Sequence, residues 1–376
     1  MHKNSIMMKT IRPIYALFFI LVLAGTSCTS QAQSESEKNT REGSSQPTNI
    51  ILMIGDGMGV SQIYAGMTVS EQPLVFEKFN HIGFHKTYSA NDYITDSGAG
   101  GTALATGHKT NNGRIALSPK GDTLTTILEL AEDNGLATGL VSTSSILHAT
   151  PASFIAHNEN RNNYDQLAEH FLKTDIEVFI GGGYANFADR EDGQDLVQAL
   201  KDKDYQVLRE MNQIQAITEG KLAGLTAEKH NPKYSEGRGD MLPQATQTAL
   251  NILDNNQKGF FLMVEGSQID WGGHGNDTEY IVEETLDFNR AVEKALAFAE
   301  SNPNTLLIVT ADHETGGMGL NRGDLQAHQV EAGYTTGGHT GVMVPVFAKG
   351  PGAEHFRGIY ENTDIFKKMK ALYGFK

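Results

Sequence analysis

Short apolar segments recur along the chain and alternate with stretches of helical periodicity. Six of these segments show no alternation of polar and apolar positions, which is typical of strands buried on both faces of a parallel sheet. They are 49–54, 137–141, 177–180, 260–264, 305–309 and 344–348. Apolar residues at helical spacing mark 124–134, 244–255 and 279–300. This order predicts an α/β fold, a three-layer sandwich with a large, mostly parallel central sheet and helices on both faces.

The first 48 residues have a different pattern. Lys3, Lys9 and Arg12 precede an apolar run at 14–24 that is short for a membrane span, which predicts a secretory signal peptide over residues 1–28. We therefore expect export to the periplasm or cell envelope. Residues 29–48 are polar and lack aromatic side chains, so we expect a disordered tether there. Residues 49–376 remain as a single catalytic domain, in which the charged, Gly- and Pro-containing segment 219–243 is interpreted as an excursion.

Cys28, the only cysteine of the chain, follows a short run of small residues at the end of the signal pattern. A cysteine there is typical of a bacterial lipoprotein, although Gly25 stands where leucine is usual. A lipid anchor at Cys28 and simple cleavage with release therefore both remain open. In either case the mature chain contains no disulfide.

The chain is acidic, with a formal net charge of −15. This charge disfavours binding to nucleic acid and to an acidic membrane surface, so we expect membrane contact only through the possible anchor. An anionic substrate would require local cations, either arginine or bound metal.

Residues 95–113 (TDSGAGGTALATGHKTNNG) are rich in glycine, alanine and hydroxyl side chains. The glycine, lysine and threonine spacing does not match a phosphate-binding P-loop. A flexible linker is disfavoured because 102–106 is compact and alanine-rich. The pattern leaves Asp96-Ser97 at the start of a short helix, which makes Ser97 a candidate nucleophile. The small residues around it would let a phosphoryl group approach the backbone.

Carboxylates and imidazoles follow several of the predicted strands. Ligands of open α/β sheets bind outside the carboxyl ends of the strands, so we expect these side chains to converge. They are Asp56, His148, Thr150, Glu265, Asp270, His274, Asp312 and His313, and His339 lies farther along among glycines. Asp56 could instead be an ordinary turn residue between glycines, and Asp270 and His274 could lie on a solvated turn beside Trp271. We interpret His108, His157 and His328 as structural or surface histidines.

The combined set exceeds the needs of one metal ion. Imidazole with carboxylate suits zinc, whereas glutamate with threonine and water suits magnesium. Two neighbouring ions can clamp the entering and leaving oxygens of an in-line phosphoryl displacement. The hydroxyl group of a serine beside zinc would lose its proton and be oriented for attack on phosphorus.

Six motifs, in order between residue 49 and about residue 358, resemble those of bacterial and animal alkaline phosphatases. They are GDGMG, TDSGAGGTALATGHKT, VSTSSILHATPASFIAH, FLMVEGSQIDWGGH, VTADHETGG and GGHTG. The resemblance implies hydrolysis of small phosphate monoesters through a phosphoserine on Ser97, with release of inorganic phosphate. It also implies two zinc ions, one magnesium ion and a homodimer.

The resemblance further assigns a role to each residue. Arg161 would grip two phosphate oxygens as a bidentate fork. The zinc facing the leaving group would be held by Asp270, His274 and His339. The zinc that activates Ser97 would be held by Asp56, Asp312 and His313, and the magnesium by Asp56, Thr150 and Glu265. Asp96, His148 and Trp271 would lie near the phosphate or behind the ligands.

Two features depart from the enterobacterial members of the family. Those enzymes have aspartate and lysine where this chain has His148 and Trp271, and His148 matches the animal enzymes instead. Trp271 has an alternative role, packing against the 219–243 segment. The stretch between His313 and His339 is also short, so we expect a smaller dimer interface than in longer relatives.

Three other functions are weighed against this one. A sulfatase would need a Cys/Ser-x-Pro-x-Arg context, which is missing from this sequence. A phosphodiesterase of the same superfamily commonly uses threonine and lacks the third metal. A catalytically inactive zinc-binding lipoprotein is disfavoured because every expected ligand is present.

Overall fold

A computed structural model describes residues 46–376 of the 376-residue chain. The predicted signal peptide, Cys28 and most of the predicted tether lie outside the described residues. The strands are β1 (Asn49–Gly55), β2 (His81–Lys86), β3 (Ala137–Ser145), β4 (Val178–Gly182), β5 (Gln206–Leu208), β6 (Leu222–Leu225), β7 (Phe260–Gly266), β8 (Thr305–Thr310), β9 (Glu314–Thr315), β10 (Met318–Asp324), β11 (Gln329–Tyr334), β12 (His339–Thr340), β13 (Val344–Lys349) and β14 (Gly358–Glu361).

Helices fill most of the connections between these strands. They are α1 (Val60–Val69), α2 (Ser97–Thr106), α3 (Ile127–Asp133), α4 (Ala149–Ile155), α5 (Tyr164–His170), α6 (Tyr184–Ala188), α7 (Leu196–Lys201), α8 (Met211–Ile214), α9 (Met241–Leu253), α10 (Gln268–His274), α11 (Thr278–Ser301) and α12 (Thr363–Tyr373). Within residues 46–376, none of these helices combines the length and the apolar character needed to cross a membrane.

Ten of the strands form one sheet in the order β14-β2-β13-β8-β1-β7-β3-β4-β6-β5. Its described strand pairs are parallel except for those that β13 makes with β2 and β8. This mostly parallel sheet confirms the predicted fold class.

The two faces of the sheet are buried by different helices. Along β1, Ile50, Leu52 and Ile54 pack into one core cluster, whereas Ile51 and Met53 pack into the other. Neighbouring side chains of a strand point to opposite faces, so a strand between two helical layers is apolar throughout. The apolar runs in the sequence are the direct result of this three-layer arrangement.

The segment 219–243 differs from its interpretation as an excursion. Residues 222–225 form β6, which pairs with both β4 and β5 inside the main sheet. Only the part between β6 and α9 leaves the sheet. The strand is four residues long and lies between charged and glycine-containing stretches, so its apolar run is too short to distinguish from a loop.

Candidate active site

The strands that precede the candidate ligands are neighbours in the sheet. β8, β1, β7 and β3 are adjacent, and Asp56, Glu265 and Asp312 lie at or just past their carboxyl ends. The crossover connections of a parallel sheet bring these ends to one edge. The expected convergence of the side chains is therefore present in the structure.

Ser97 is the first residue of α2 and is buried. Asp96 caps this helix, because its Oδ1 accepts a hydrogen bond of 2.9 Å from the amide of Ala99. Ser97 Oγ lies 3.2 Å from Nε2 of His313. The cap and the free amides of the first turn give this serine a fixed position and a positive local field.

Two glycines of α2 have a use besides the one we predicted for the small residues. A Cβ on Gly100 would lie 3.1 Å from Cβ of Asp312, and one on Gly101 would lie 3.2 Å from Cβ of Ser153. These glycines therefore face protein atoms, and they let α2 pack closely against the end of β8 and against α4. Their sequence pattern alone does not distinguish a close helix contact from a close substrate contact.

The first group of candidate ligands contains Asp56, Asp312 and His313, all fully buried. Nε2 of His313 lies 3.5 Å from Oδ1 of Asp56 and 3.2 Å from Oδ2 of Asp312. The same nitrogen faces Ser97 Oγ. A group that can hold a cation is thus in direct contact with the candidate nucleophile.

The second group contains Asp270 and His274 of α10 and His339 of β12. Nδ1 of His274 faces the carbonyl oxygen of Gly337 at 2.8 Å, and Nδ1 of His339 faces that of Thr95 at 2.8 Å. Because a carbonyl oxygen can only accept a hydrogen bond, Nδ1 carries the proton when either ring is neutral. The lone pair of each Nε2 then faces Asp270 and can bind a cation.

These two groups are close together because the turn after β1 touches α10. Gly57 has φ +73°, and a Cβ there would lie 2.7 Å from Cα of Asp270. Both the backbone conformation and the space require glycine at this position.

The third group contains Asp56, His148 and Glu265. Oε2 of Glu265 accepts hydrogen bonds from Ser142 at 2.6 Å and Ser267 at 2.7 Å. Thr150 Oγ1 lies 3.5 Å from Oδ2 of Asp56. We expected His148 near the phosphate or behind the ligands, and the structure brings one of its ring nitrogens within 4.8 Å of a carboxylate oxygen of both Asp56 and Glu265.

Arg161 enters the site from the loop between α4 and α5. Its Nη1 donates to Oδ2 of Asp96 at 2.9 Å, and its Nη2 lies 3.4 Å from Nε2 of His148. The guanidinium is therefore held beside Ser97 by the residue that caps α2.

Burial without a full set of partners dominates the electrostatics of the site. Burial raises the pKa of Asp312 to about 7, and burial followed by repulsion from Asp312 raises the pKa of Asp56 well above its usual value. Burial would also raise the pKa of Asp270, but hydrogen bonds from His274 and His339 outweigh it and hold that pKa well below its ordinary value. Burial, with a contribution from Arg161, lowers the pKa of His148 to about 3. The shift of His148 favours its neutral imidazole, which is the form that binds metal. The hydrogen bond to Asp270 instead raises the pKa of His274 to about 9, so that ring must give up its proton when a metal binds.

His230 is a site residue that the sequence did not indicate. Its ring lies edge-on to Trp271, with centroids 5.0 Å apart, and to His148 at 5.7 Å. Trp271 contacts His148 as well, at 6.2 Å. Trp271 therefore packs both against the 219–243 segment and against the predicted site. His230 follows a lysine in a charged segment, and no motif or spacing marks it.

The three histidines interpreted as structural or surface residues lie outside the ligand groups. Nε2 of His157 pairs with Glu129 at 2.9 Å, and Nδ1 of His108 faces the carbonyl oxygen of Thr106. His328 is exposed between β10 and β11.

The residues present fit bound cations. Oδ1 of Asp56, Oδ2 of Asp312 and Oε1 of Glu265 are buried and have no hydrogen-bond partner within the part of the chain that the structure describes. A buried carboxylate oxygen without a donor is costly unless a cation satisfies it. An α/β fold with such carboxylate and imidazole groups at the strand ends is typical of metal-dependent hydrolases.

Comparisons with known proteins give the family. The alkaline phosphatase family model matches residues 47–326 and 320–375. The chain is 33% identical to alkaline phosphatase 3 of Bacillus subtilis over 97% of each chain, and 32% identical to the alkaline phosphatase of Escherichia coli over 87% of this chain and 86% of that one. The structure matches that of the alkaline phosphatase from the Antarctic bacterium TAB5 with a TM-score of 0.84 and 40% identity, over 88% of this chain and 99% of that chain. The chain belongs to the alkaline phosphatase family, and it is a metal-dependent hydrolase of phosphate monoesters.

Proposed function

We propose that this alkaline phosphatase works through a covalent phosphoserine on Ser97. The observation that carries the proposal is the position of Ser97 Oγ, 3.2 Å from the His313 nitrogen that also faces Asp56 and Asp312. Ser97 lies at a helix N-terminus, where backbone amides favour an anion. Arg161 supplies the nearest fixed positive charge.

The chemistry has two displacements. Ser97 Oγ gives its proton to solvent and forms a bond to phosphorus while the bond from phosphorus to the ester oxygen breaks, and the leaving oxygen takes a proton from solvent. Water then attacks phosphorus, the Ser97 Oγ–phosphorus bond breaks, Ser97 Oγ takes up a proton released by the attacking water, and inorganic phosphate leaves. The Arg161 guanidinium holds two phosphate oxygens in both steps, because its planar fork matches them in geometry and charge.

We propose two zinc ions and one magnesium ion as the cofactors. Asp270, His274 and His339 would hold one zinc, and Asp56, Asp312 and His313 the other, because imidazole with carboxylate is the donor set that zinc prefers. Asp56, Thr150 and Glu265 would hold magnesium through oxygen atoms. When bound, these ions lower the pKa of an attacking hydroxyl group and neutralise charge on the phosphoryl oxygens and the leaving oxygen.

His148 makes the identity of the third ion dependent on conditions. Its ring nitrogen stands near Asp56 and Glu265, and imidazole is a good zinc ligand but a poor one for magnesium. In the TAB5 enzyme, a variant with histidine replaced by aspartate has magnesium bound at a metal site. We expect added Mg²⁺ to activate the wild-type enzyme, excess Zn²⁺ to inhibit it, and His148→Asp to lower the Mg²⁺ concentration needed for half-maximal activity. Activity that is independent of Mg²⁺ in both proteins would rule out this proposal.

The phosphoserine is tested by trapping. Enzyme turning over a ³²P-labelled monoester is quenched in acid, and the labelled peptide is identified. We expect label on Ser97 in the wild type, and no label with almost no turnover in Ser97→Ala, which still binds zinc. Ser301→Ala is the control, because Ser301 is an exposed serine at the end of α11. Label on another residue, or near-normal turnover by Ser97→Ala, contradicts the assignment. The methyl diester of the same phenol, tested in parallel, should be a far poorer substrate.

We propose that the protein is a homodimer. Val60 and Tyr64 are exposed on α1, and Val342 and Met343 are exposed after β12. Val60, Val342 and Met343 line one cavity of about 530 Å³. Large apolar side chains gathered on one surface support contact with a second copy.

Light scattering tests this assembly state. We expect a dimer at micromolar concentration and a shift towards monomer in Val342→Glu. Ile359→Glu is the matched control, since Ile359 is at least as exposed as Val342 but lies on the edge strand β14. A monomeric wild type, or equal dissociation of both variants, would refute this interface.

We also propose that the enzyme is exported to the periplasm or cell envelope and is attached by lipid at Cys28. The basic and apolar order of residues 1–28 supports export, and the position of the single cysteine supports the anchor. Metabolic labelling with a radioactive fatty acid should mark the wild type but not Cys28→Ser. Label in neither protein would favour cleavage and release.

A further inference from the structure

Residues 226–232, here called the β6 loop, enter the site between two elements that already carry site residues. Its backbone is fixed at one end by the amides of Gly183 and Tyr184, which donate to the carbonyl oxygen of Ala227 at 3.0 Å. Gly182 touches the loop so closely that a Cβ there would lie 2.1 Å from the carbonyl oxygen of Lys229.

The other end of the β6 loop is fixed by α10. Nε2 of Gln268 donates to the carbonyl oxygen of Asn231 at 3.0 Å. Gln268 lies on the same short helix as Asp270, Trp271 and His274. The loop therefore keeps its path through backbone contacts that do not involve the side chain of His230.

The imidazole ring of His230 makes its contacts with residues in or beside the site. Its Nδ1 accepts a hydrogen bond of 3.1 Å from the amide of Ser145, at the end of β3. The acceptor role of Nδ1 places the proton of the neutral ring on Nε2. The imidazole is perpendicular to the Trp271 indole and nearly so to the His148 ring, with interplanar angles of 90° and 85°. Edge-to-face contact of this kind favours one orientation of each ring.

We propose that His230 is a positioning residue that holds Trp271 and His148 beside the phosphate site. The proposal rests on the proposed function, which places Arg161 and Ser97 on the bound phosphate. Nη2 of Arg161 lies 3.4 Å from His148 Nε2, so a ring held by His230 is in turn in contact with the guanidinium. Fixing the indole and imidazole in advance removes the need to immobilise them when phosphate binds.

Trp271 is the only tryptophan of the chain, so tryptophan fluorescence reports on the surroundings of this one residue. The zinc- and magnesium-loaded wild type and three variants are compared by acrylamide quenching and by titration with inorganic phosphate. His230→Ala removes both the ring and the acceptor, His230→Asn keeps an acceptor near Nδ1, and His230→Phe keeps an aromatic ring. Lys229→Ala, an exposed neighbour on the same loop, is the matched control.

We expect stronger acrylamide quenching of Trp271 in His230→Ala and His230→Asn than in the wild type, His230→Phe and Lys229→Ala. We expect the inhibition constant for phosphate in His230→Ala and His230→Asn to rise by about three- to tenfold, the factor given by loss of one immobilised side chain. The kcat should change less than KM. In His230→Phe, partial recovery of the wild-type acrylamide quenching and of the wild-type inhibition constant for phosphate separates ring positioning from a general loss of structure.

Equal quenching and equal phosphate inhibition in His230→Ala and the wild type would overturn the proposal. So would a loss of phosphate affinity in His230→Phe as large as that in His230→Ala. Failure of the proposed function gives a different result. In that case wild-type Trp271 fluorescence does not respond to phosphate, or Ser97 is not labelled, whatever the behaviour of His230.

Discussion

Arg161 brings a fixed positive charge to a site with four carboxylates, those of Asp56, Glu265, Asp270 and Asp312. We expect Arg161→Ala to weaken the binding of inorganic phosphate by about 1–3 kcal/mol, the range for a charge-assisted bidentate contact. The effect on kcat should be smaller than the effect on the inhibition constant for phosphate, and steady-state kinetics measure both.

Arg161→Lys separates charge from geometry in this prediction. Lysine keeps the positive charge but offers no planar fork, so its phosphate affinity should lie between those of the wild type and Arg161→Ala. Arg322→Ala, on an exposed arginine of β10, is the control. An unchanged inhibition constant in Arg161→Ala would show that the guanidinium does not touch phosphate.

At the residue level, the sequence indicates the candidate ligands whose place in the fold follows from the order of the strands. Asp56 and Asp312 follow buried strands, and the end of a parallel strand has a known place in the fold. His230 could not be found in this way, because its place depends on side-chain contacts between distant segments. Arg238, for example, ties the chain after the β6 loop to α11 through ion pairs with Glu284 and Asp287.

Asp96, at the start of α2, contributes both to the stability of the helix and to the binding of substrate. Asp96 accepts hydrogen bonds from the amides of Ala99 and Gly113, each at 2.9 Å, and pairs with Arg161. Asp96→Ala should cost about 0.5–2 kcal/mol of stability through the lost cap. It should also weaken phosphate binding, because Arg161 loses the carboxylate that orients it.

Asp96→Asn distinguishes the two effects. The amide oxygen can still cap the helix, so the thermal unfolding temperature should stay closer to that of the wild type, while phosphate affinity falls. Differential scanning calorimetry and phosphate inhibition are measured on the same preparations. Equal loss of stability in both variants would mean that the charge, and not the cap, is what α2 requires.

Glu177, directly before β4, lies at the opposite end of the strands from the site. Its Oε2 accepts a hydrogen bond of 2.6 Å from the amide of Thr138, and burial raises its pKa to about 7. A carboxyl group ionises near pH 4.3 in an unfolded chain. The contribution of Glu177 to stability is therefore fully present below that pH and is lost as the pH rises through about 7.

The substitution Glu177→Gln should remove this loss of stability at high pH. We expect a higher unfolding temperature than in the wild type above pH 8, a similar or lower one near pH 4, and unchanged activity. Glu159→Gln is the control, since Glu159 is exposed. If the wild type still has the higher unfolding temperature at high pH, the charge of Glu177 is compensated by other groups in the folded protein.

Among the elements, the strands at the centre of the sheet were predictable and those nearer its edges were not. β1, β7 and β8 are apolar on both faces because helices cover both sides. β2 and β14 contain exposed and charged positions, and β5 and β6 are only three and four residues long. Strands that are this short, or that have an open face, resemble loops in sequence, and only their pairing partners identify them.

For the whole molecule, bound metal is part of the folding free energy. The proposed ligands lie on or just past β1, β7 and β8 and on α4, α10 and β12, so one set of ions would connect distant parts of the chain. A ligand present about a thousandfold above its dissociation constant stabilises the folded state by about 4 kcal/mol per site. We expect chelation to abolish activity and to lower the unfolding temperature by many degrees, with both restored by zinc and magnesium.

Calorimetry with and without chelator checks this prediction, and the metal content is measured on the same samples. Full activity after complete removal of metal would contradict the cofactor proposal. An unchanged unfolding temperature would show that the buried carboxylates are satisfied in another way.

The ladder that carries His339 is only two residue pairs long, since β12 meets β9 at His339–Thr315 and Thr340–Glu314. The side chains of His274 and His339 are 43% and 13% exposed, whereas those of Asp56, Asp312 and His313 are fully buried at the ends of central strands. Opening two pairs costs far less than opening the sheet. Exchange of the ions is therefore expected to be ordered in time: the ion held through His339 equilibrates with the solvent during brief local openings, and the ion beside Ser97 stays for the lifetime of the folded sheet.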